Sequence, residues 1–302
     1  VGVTIKDCHS LLYGIKSGVK FTSLLTLGRL HLYASINEVN DLVKEFNLSS
    51  KLGAYQGSSS QFSDDFFTFL GAKSVDTIDY SDYEGATILH DMNLPISTEL
   101  YNKYSLVIDS GTLEHVFNFP TAIKNCMQAV ELGGHFIGIS PVNNQLGHGF
   151  YQFSPELYYR VFSEENGFVI KKIFLTGPDG SNTKWYEVAD PKLVNSRIII
   201  KNNESLVMIV IAQKTLEINI FENPPLQSDY VNSWNAFNES IMHERNKETS
   251  ILKFYFRKFL PESLKNKLRS LRSSINFKQE DNQLLGNVNS SHFKEVNLAK
   301  LI

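Results

Sequence analysis

Short apolar runs alternate with amphipathic stretches through the first half of the chain. "SLLTLG", "SVDTID", "ATILHD", "YSLVID" and "GGHFIGISP" are each the length of a buried strand and each is bounded by glycine or polar residues. They predict strands at 22–27, 74–79, 86–91, 104–109 and after Gly133–Gly134. The intervening segments carry helical spacing. Residues 6–18 predict a leading helix, and Ile36, Val39, Leu42, Val43 and Phe46 share one helical face. "SDDFFTFLGA" has Ser63 as an expected N-cap, acids in the first turn and Gly71 as a stop. Residues 118–131 predict a helix with Pro120 in its first turn. A further helix starts at Ser154 as N-cap and Pro155 as first helical residue, and exits at Gly167.

Strand–helix alternation through residue 167 predicts an α/β fold with a parallel sheet and right-handed crossovers. Two β-rich runs, 168–176 and 206–214, follow without a convincing helix between them and predict an antiparallel hairpin at one edge. That combination has the shape of a Rossmann-like class I methyltransferase sheet, mostly parallel with an antiparallel edge strand. The pattern alone leaves a plain dinucleotide-binding Rossmann domain open. Residues 1–218 are expected to form this domain, with 178–204, which holds Trp185 and Tyr186, as an insertion. Residues 219–302 read as a helical, basic C-terminal extension, and the last twenty or so are expected to be mobile.

Composition narrows the classes. The 302 residues are 42% hydrophobic, enough for one large core, and the formal charge of −3 argues against a nucleic-acid partner. Cys8 and Cys126 stand far apart, as reduced thiols of a cytoplasmic protein do. No stretch approaches the roughly 20 apolar residues of a membrane span. Lys6 and Asp7 interrupt the apolar start, which argues against a signal peptide.

Ligands of open parallel sheets bind beyond the carboxyl ends of the strands. Here four consecutive strands end on Gly28, Asp79, Asp91 and Asp109. One such carboxylate can accept both hydroxyls of a ribose, and another an adenine amino group. A negative rim suits the cationic S-adenosylmethionine and would repel the pyrophosphate of NAD. Each aspartate can equally be a turn former or cap. In "DSGTLEH", Gly111 lets backbone approach a ligand, and Glu114 and His115 follow at the strand mouth.

"VIDSGTLEHVFN" followed by "ELGGHFIGISP" resembles motifs of class I S-adenosylmethionine-dependent methyltransferases. "FLGAKSVDTIDYSDYEGATILHDMNLP" and "NNQLGHGFYQFSPELYYRVF" are similar to a bacterial branch associated with surface-polysaccharide and other glycan clusters. The resemblance spans roughly residues 20–175. It implies that Asp79, with Tyr80 beside it, meets the ribose and that His90, Asp91 and Met92 flank the adenine. It also implies that the turn from Ser110 through Gly111 to Glu114 lies beneath the methionine portion, with Asp109 before it as a further cofactor-binding residue. The family's glycine-rich loop after the first strand is reduced here to "TLGRLHLY", in which Gly28 alone survives. Arg29 is expected either to grip the cofactor carboxylate or to pair with Asp79 or Glu114.

A hydroxyl acceptor needs its proton removed. His148, between Gly147 and Gly149, is the first candidate base and His115 the second. Asn143, Asn144, Tyr151 and Gln152 are expected hydrogen-bonding partners of a sugar or glycan-linked acceptor. His90–Asp91 and Glu114–His115 lack the spacing of zinc-enzyme helices, so no metal set is expected. Basic residues interleaved with apolar ones at 241–275 predict either a packed helix or contact with the inner face of a membrane. Oligomers remain compatible. The expected function is O-methylation. A non-catalytic methyltransferase-like binding domain and an NAD-dependent sugar-modifying enzyme are the alternatives.

Overall fold

The computed structural model describes residues 2–177, 184–245 and 292–301, with side chains of 238–245 excluded. Its elements are β1 (Gly2–Val3), α1 (Ile5–Lys16), β2 (Ser23–Leu27), β3 (His31–Leu32), α2 (Ile36–Glu45), α3 (Ser49–Leu52), α4 (Asp64–Leu70), β4 (Ser74–Asp79), β5 (Ile88–Leu89), β6 (Tyr104–Ser110), α5 (Phe119–Ala129), β7 (Val130–Asn143), α6 (Pro155–Val161), β8 (Phe168–Thr176), β9 (Trp185–Val188), α7 (Pro191–Val194), β10 (Leu206–Lys214), α8 (Ser228–Arg245) and β11 (Phe293–Val296). Short 3-10 turns include Leu113–His115 and Leu298–Lys300.

The main sheet runs β11-β9-β8-β10-β7-β6-β2-β4-β5. Strands β5, β4, β2, β6 and β7 are parallel neighbours, whereas β10 is antiparallel to both β7 and β8. Without β11 and β9 at one edge, the sheet reads from β5 third, second, first, fourth, fifth, seventh, sixth in chain order, with the seventh reversed. This is the Rossmann-like class I methyltransferase sheet. The expected antiparallel pair is real, but β10 inserts inside the sheet. The edge is instead built by β9, from within 178–204, and by β11. A two-stranded parallel pair, β1 with β3, lies apart from it.

Side chains alternate across the strands because a parallel sheet must be covered on both faces. Leu25, Leu27, Val107 and Phe136 pack toward α5 and α6, where Ile123, Met127, Tyr158 and Phe162 are buried. Leu24, Leu106, Ile108 and Ile137 face the other layer, with Leu11 and Leu12 of α1, Val39 of α2 and Phe66 of α4. Each such buried side chain contributes about 1.5–3 kcal/mol. Thr26 would break this pattern, but its hydroxyl meets that of Thr77 at 3.1 Å. Lys214, 4% exposed, closes α5: its ammonium donates to the carbonyls of Met127 and Val130 and to Asn102. That satisfies carbonyls that a helix end leaves unpaired.

Three local expectations need correction. The run 86–91 forms a strand only at Ile88–Leu89. Ser63 occupies the N-cap position of α4, but its hydroxyl makes no capping bond and is buried. Residues 292–301 are not loose: Phe293 pairs along β9, and Leu298 and Ala299 are 2% and 6% exposed against α1. Lys16 of α1 also donates to the Ala299 carbonyl. The basic run at 241–275 lies outside the described residues, apart from the backbone of 241–245 in α8. Residues 178–183 of the insertion lie outside them too. Among the described residues, no helix is long and apolar enough to cross a membrane. Cys8 and Cys126 are both buried, and no disulfide joins them.

Candidate active site at the strand ends

The strand order reverses at β2, which lies between β4 and β6, so a crevice is expected above its end. Gly28 follows β2 with φ +75°, a conformation that favours glycine. A methyl group there would lie 3.6 Å from Thr112 Oγ1 and 3.7 Å from Asp79 Oδ2. Gly28, Asp79 and Thr112 thus border one gap. Thr112 is anchored by donating its hydroxyl to the Leu27 carbonyl at 2.8 Å. Asp79 is half-buried, and a long contact from the Ser81 amide to Oδ1 leaves Oδ2 facing Gly28. Tyr80, beside it, is 79% exposed.

Next to this gap, His90 lies with Nε2 3.0 Å from the Leu94 carbonyl. Asp91 Oδ1 accepts from the Asn93 amide and side chain, and Met92 is packed into the core. Asp91 is therefore a turn former with one oxygen engaged.

Asp109 does not project onto the rim. It is fully buried, and Oδ1 accepts from the amides of Thr112 and Leu113, so it caps the turn that follows β6. Burial, and then the nearby Glu114, hold its carboxyl well above the usual carboxylate range. Asp109 thereby leaves the expected rim of three aspartates, because it stabilises the turn instead. Ser110 donates to the Gly2 carbonyl at 3.2 Å, so β1 sits against the end of β6.

Arg29 pairs with neither Asp79 nor Glu114. Its guanidinium donates to the Glu84 carbonyl at 3.0 Å, lies 3.4 Å from Asp64 and stacks 4.1 Å from the centroid of Phe62. Two of its faces are taken by the protein's own groups.

The turn beyond Asp109 and the loop after β7 form the second half of the site. The amides of Phe150 and Tyr151 both donate to the Glu114 carbonyl, at 2.9 and 3.2 Å. Gly149 makes that contact possible: a methyl group there would stand 2.9 Å from the same carbonyl and 3.1 Å from His115 Nδ1. The loop thus carries His148 to Glu114, with Nε2 3.3 Å from Oε1, and its ring centroid lies 5.2 Å from that of His115. Glu114 Oε1 also lies 3.4 Å from where a methyl on Gly111 would be. Burial pushes Glu114 up to about 7. Burial, and then His148, lower the proton affinity of His115.

The four expected acceptor residues each bond to other protein groups. Asn143 donates to Asn202, Asn144 to the carbonyls of Asn202 and Glu204, and Tyr151 to the Phe117 carbonyl. Gln152 accepts from the Gln145 amide. These contacts help hold the loop in place. Two residues passed over in the sequence stand beside the histidines instead: Phe117 and Phe150, 72% and 67% exposed, pack edge to face at 5.8 Å. Thr112 falls within the Ser110–Glu114 turn that the sequence pointed to, but nothing in its local sequence sets it apart there from an ordinary turn residue. A separate cavity lined by Glu156, Arg197 and Asp229 belongs to α6, α7 and α8 and not to the strand ends.

No family model matches the chain. No curated protein matches it either. Among solved structures, a candidate methyltransferase of Bacillus halodurans C-125 aligns with 9% identity, 70% of this chain, all of its own and a TM-score of 0.39. A candidate S-adenosylmethionine-dependent methyltransferase of Listeria monocytogenes aligns with 13% identity, 68% and 99% coverage and a TM-score of 0.36. A candidate sarcosine dimethylglycine methyltransferase of Galdieria sulphuraria gives 12%, 71% and 87%, and 0.39. These likenesses are remote, and the fold is carried by the strand order itself.

Proposed function

We propose that the chain is an S-adenosylmethionine-dependent O-methyltransferase acting on a sugar or glycan-linked hydroxyl. The observation that carries this reading is the gap bounded by Gly28, Asp79 and Thr112 at the switch point of the sheet. It fits the nucleoside half of the cofactor: Asp79 Oδ2 is available to a ribose, and the Gly28 backbone leaves room for close approach. Asp91 would face the adenine with its remaining oxygen. S-adenosylmethionine, when bound, supplies a methyl group on a positively charged sulfur.

The chain's own groups have the other half of the task. An acceptor hydroxyl must be oriented, kept from competing water and relieved of its proton. Glu114, His115 and His148 are the titratable groups gathered at the adjoining turn, and His148 is half-exposed where an acceptor can reach it. Phe117 and Phe150 offer apolar faces to the carbon side of a sugar ring. The test is calorimetric titration with S-adenosylhomocysteine. Saturable binding that weakens in Asp79→Ala supports the reading, and no heat at high micromolar ligand overturns it.

A non-catalytic methyltransferase-like binding domain is favoured by two features, the enclosure of Arg29 and the seat of Gly2 on Ser110. The same titration separates it from the enzyme.

A further inference from the structure

We infer that Glu114, His115 and His148 form a site for one divalent transition-metal ion. The three come from two segments, the turn after β6 and the loop after β7. One ligand atom from each lies within 4.8 Å of the other two. That is the spread expected of side chains converging on a single ion with nitrogen and oxygen ligands.

A second observation points the same way. Glu114 is fully buried, and neither of its carboxylate oxygens has a hydrogen-bond partner. His148 Nε2 comes within 3.3 Å of Oε1 without the alignment of a hydrogen bond. A buried carboxylate left in this state is costly, and buried charges are normally paired or bound to metal. A cation between the three side chains would neutralise Glu114 and use both imidazoles as neutral ligands.

The ligand chemistry selects the ion. Two imidazoles with one carboxylate suit zinc, iron, cobalt or manganese better than calcium or magnesium, which prefer oxygen alone. Three protein ligands leave coordination positions open, and His115 and His148 lie on the solvent side of the set. An acceptor hydroxyl could occupy one of them. Resting on the methyltransferase reading, the ion's role is to acidify that hydroxyl so that its proton passes to solvent near neutral pH. His148 then holds the ion instead of taking the proton itself. Gly149 is part of the same device, since it lets the loop bring His148 against the turn.

The experiment uses the untagged 302-residue chain, stripped with chelator and titrated with cobalt(II), whose visible absorption reports imidazole coordination. One ion per chain, displaced by zinc, is expected. Affinity should fall at least about 100-fold in His148→Ala and in His115→Ala. Both side chains are exposed, so neither change threatens the fold. Glu114→Gln keeps the buried shape and should weaken binding comparably. Absence of a stoichiometric site in the wild type, or affinity unchanged in all three variants, overturns the inference. S-adenosylhomocysteine binding is measured on the same stripped protein. Cofactor binding without a metal site sinks this inference alone, whereas a metal site without cofactor binding sinks only the methyltransferase reading.

Discussion

A methyl group on Gly149 would collide with a backbone oxygen, which cannot swing aside as a side-chain tip can. Gly149→Ala should therefore push the loop off the 112–116 turn and separate His148 from Glu114. We expect turnover to fall about 10- to 100-fold, as a misplacement near 1 Å does, with little change in S-adenosylhomocysteine affinity. Gly147 is the internal control, because open space surrounds it and Gly147→Ala should leave both quantities intact. On the cofactor side, Asp79→Ala removes a charged acceptor and should cost about 1.5–3 kcal/mol of S-adenosylhomocysteine binding by calorimetry. Retained affinity would place the nucleoside elsewhere. Single residues also show how little of the site is spoken for by type alone. Asp79 is the last residue of β4 and Asp109 the last but one of β6, yet one faces the gap and the other is buried capping a turn.

Elements are joined here by a few buried polar contacts whose removal is measurable. Lys214 at the end of β10 holds the C-terminal carbonyls of α5, and burial lowers its proton affinity. Lys214→Ala should leave those carbonyls unsatisfied and cost about 1–3 kcal/mol in urea unfolding. His135 in β7 is 6% exposed, and burial, then Lys171 and Lys20, push it down to about 4 from 6.5. The folded state therefore binds fewer protons than the unfolded chain between those values, and stability is lost as pH falls from about 6.5 to 4. The full loss is at most about 3 kcal/mol. His135→Gln should flatten unfolding midpoints over that window; an unchanged slope would assign the acid sensitivity to other groups.

At the scale of the molecule, residues 292–301 return to the sheet and touch α1, near the opposite end of the sequence. Leu298 is 2% exposed in that contact. Leu298→Ala should cost about 2–4 kcal/mol of global stability; a loss under half of that would mean the segment unfolds separately from the sheet.

Local pattern was enough for much of the architecture. The bounds of β4, β8 and β10 match the sequence reading residue for residue, since each is an apolar run flanked by turn formers. Ser154 and Pro155 mark the start of α6 because capping is satisfied within one helical turn. The short β5 was misjudged, as its length depends on how far β4 offers a partner. So was the edge of the sheet, because β11 joins β9 across more than a hundred residues and leaves no local periodicity. The candidate site divides the same way. The placement of Gly28 and Asp79 at neighbouring strand ends was legible, since a strand end is a local property and topology sends both to one rim. The sequence by itself determined which residues could carry charge, coordinate or cap. Tertiary structure alone decided that Asp109 is buried, that Arg29 is held by Asp64 and Glu84, and that Glu114 and His115 meet His148. Those outcomes depend on distances between segments far apart in the chain, and burial and electrostatics are set by such distances rather than by neighbours in sequence.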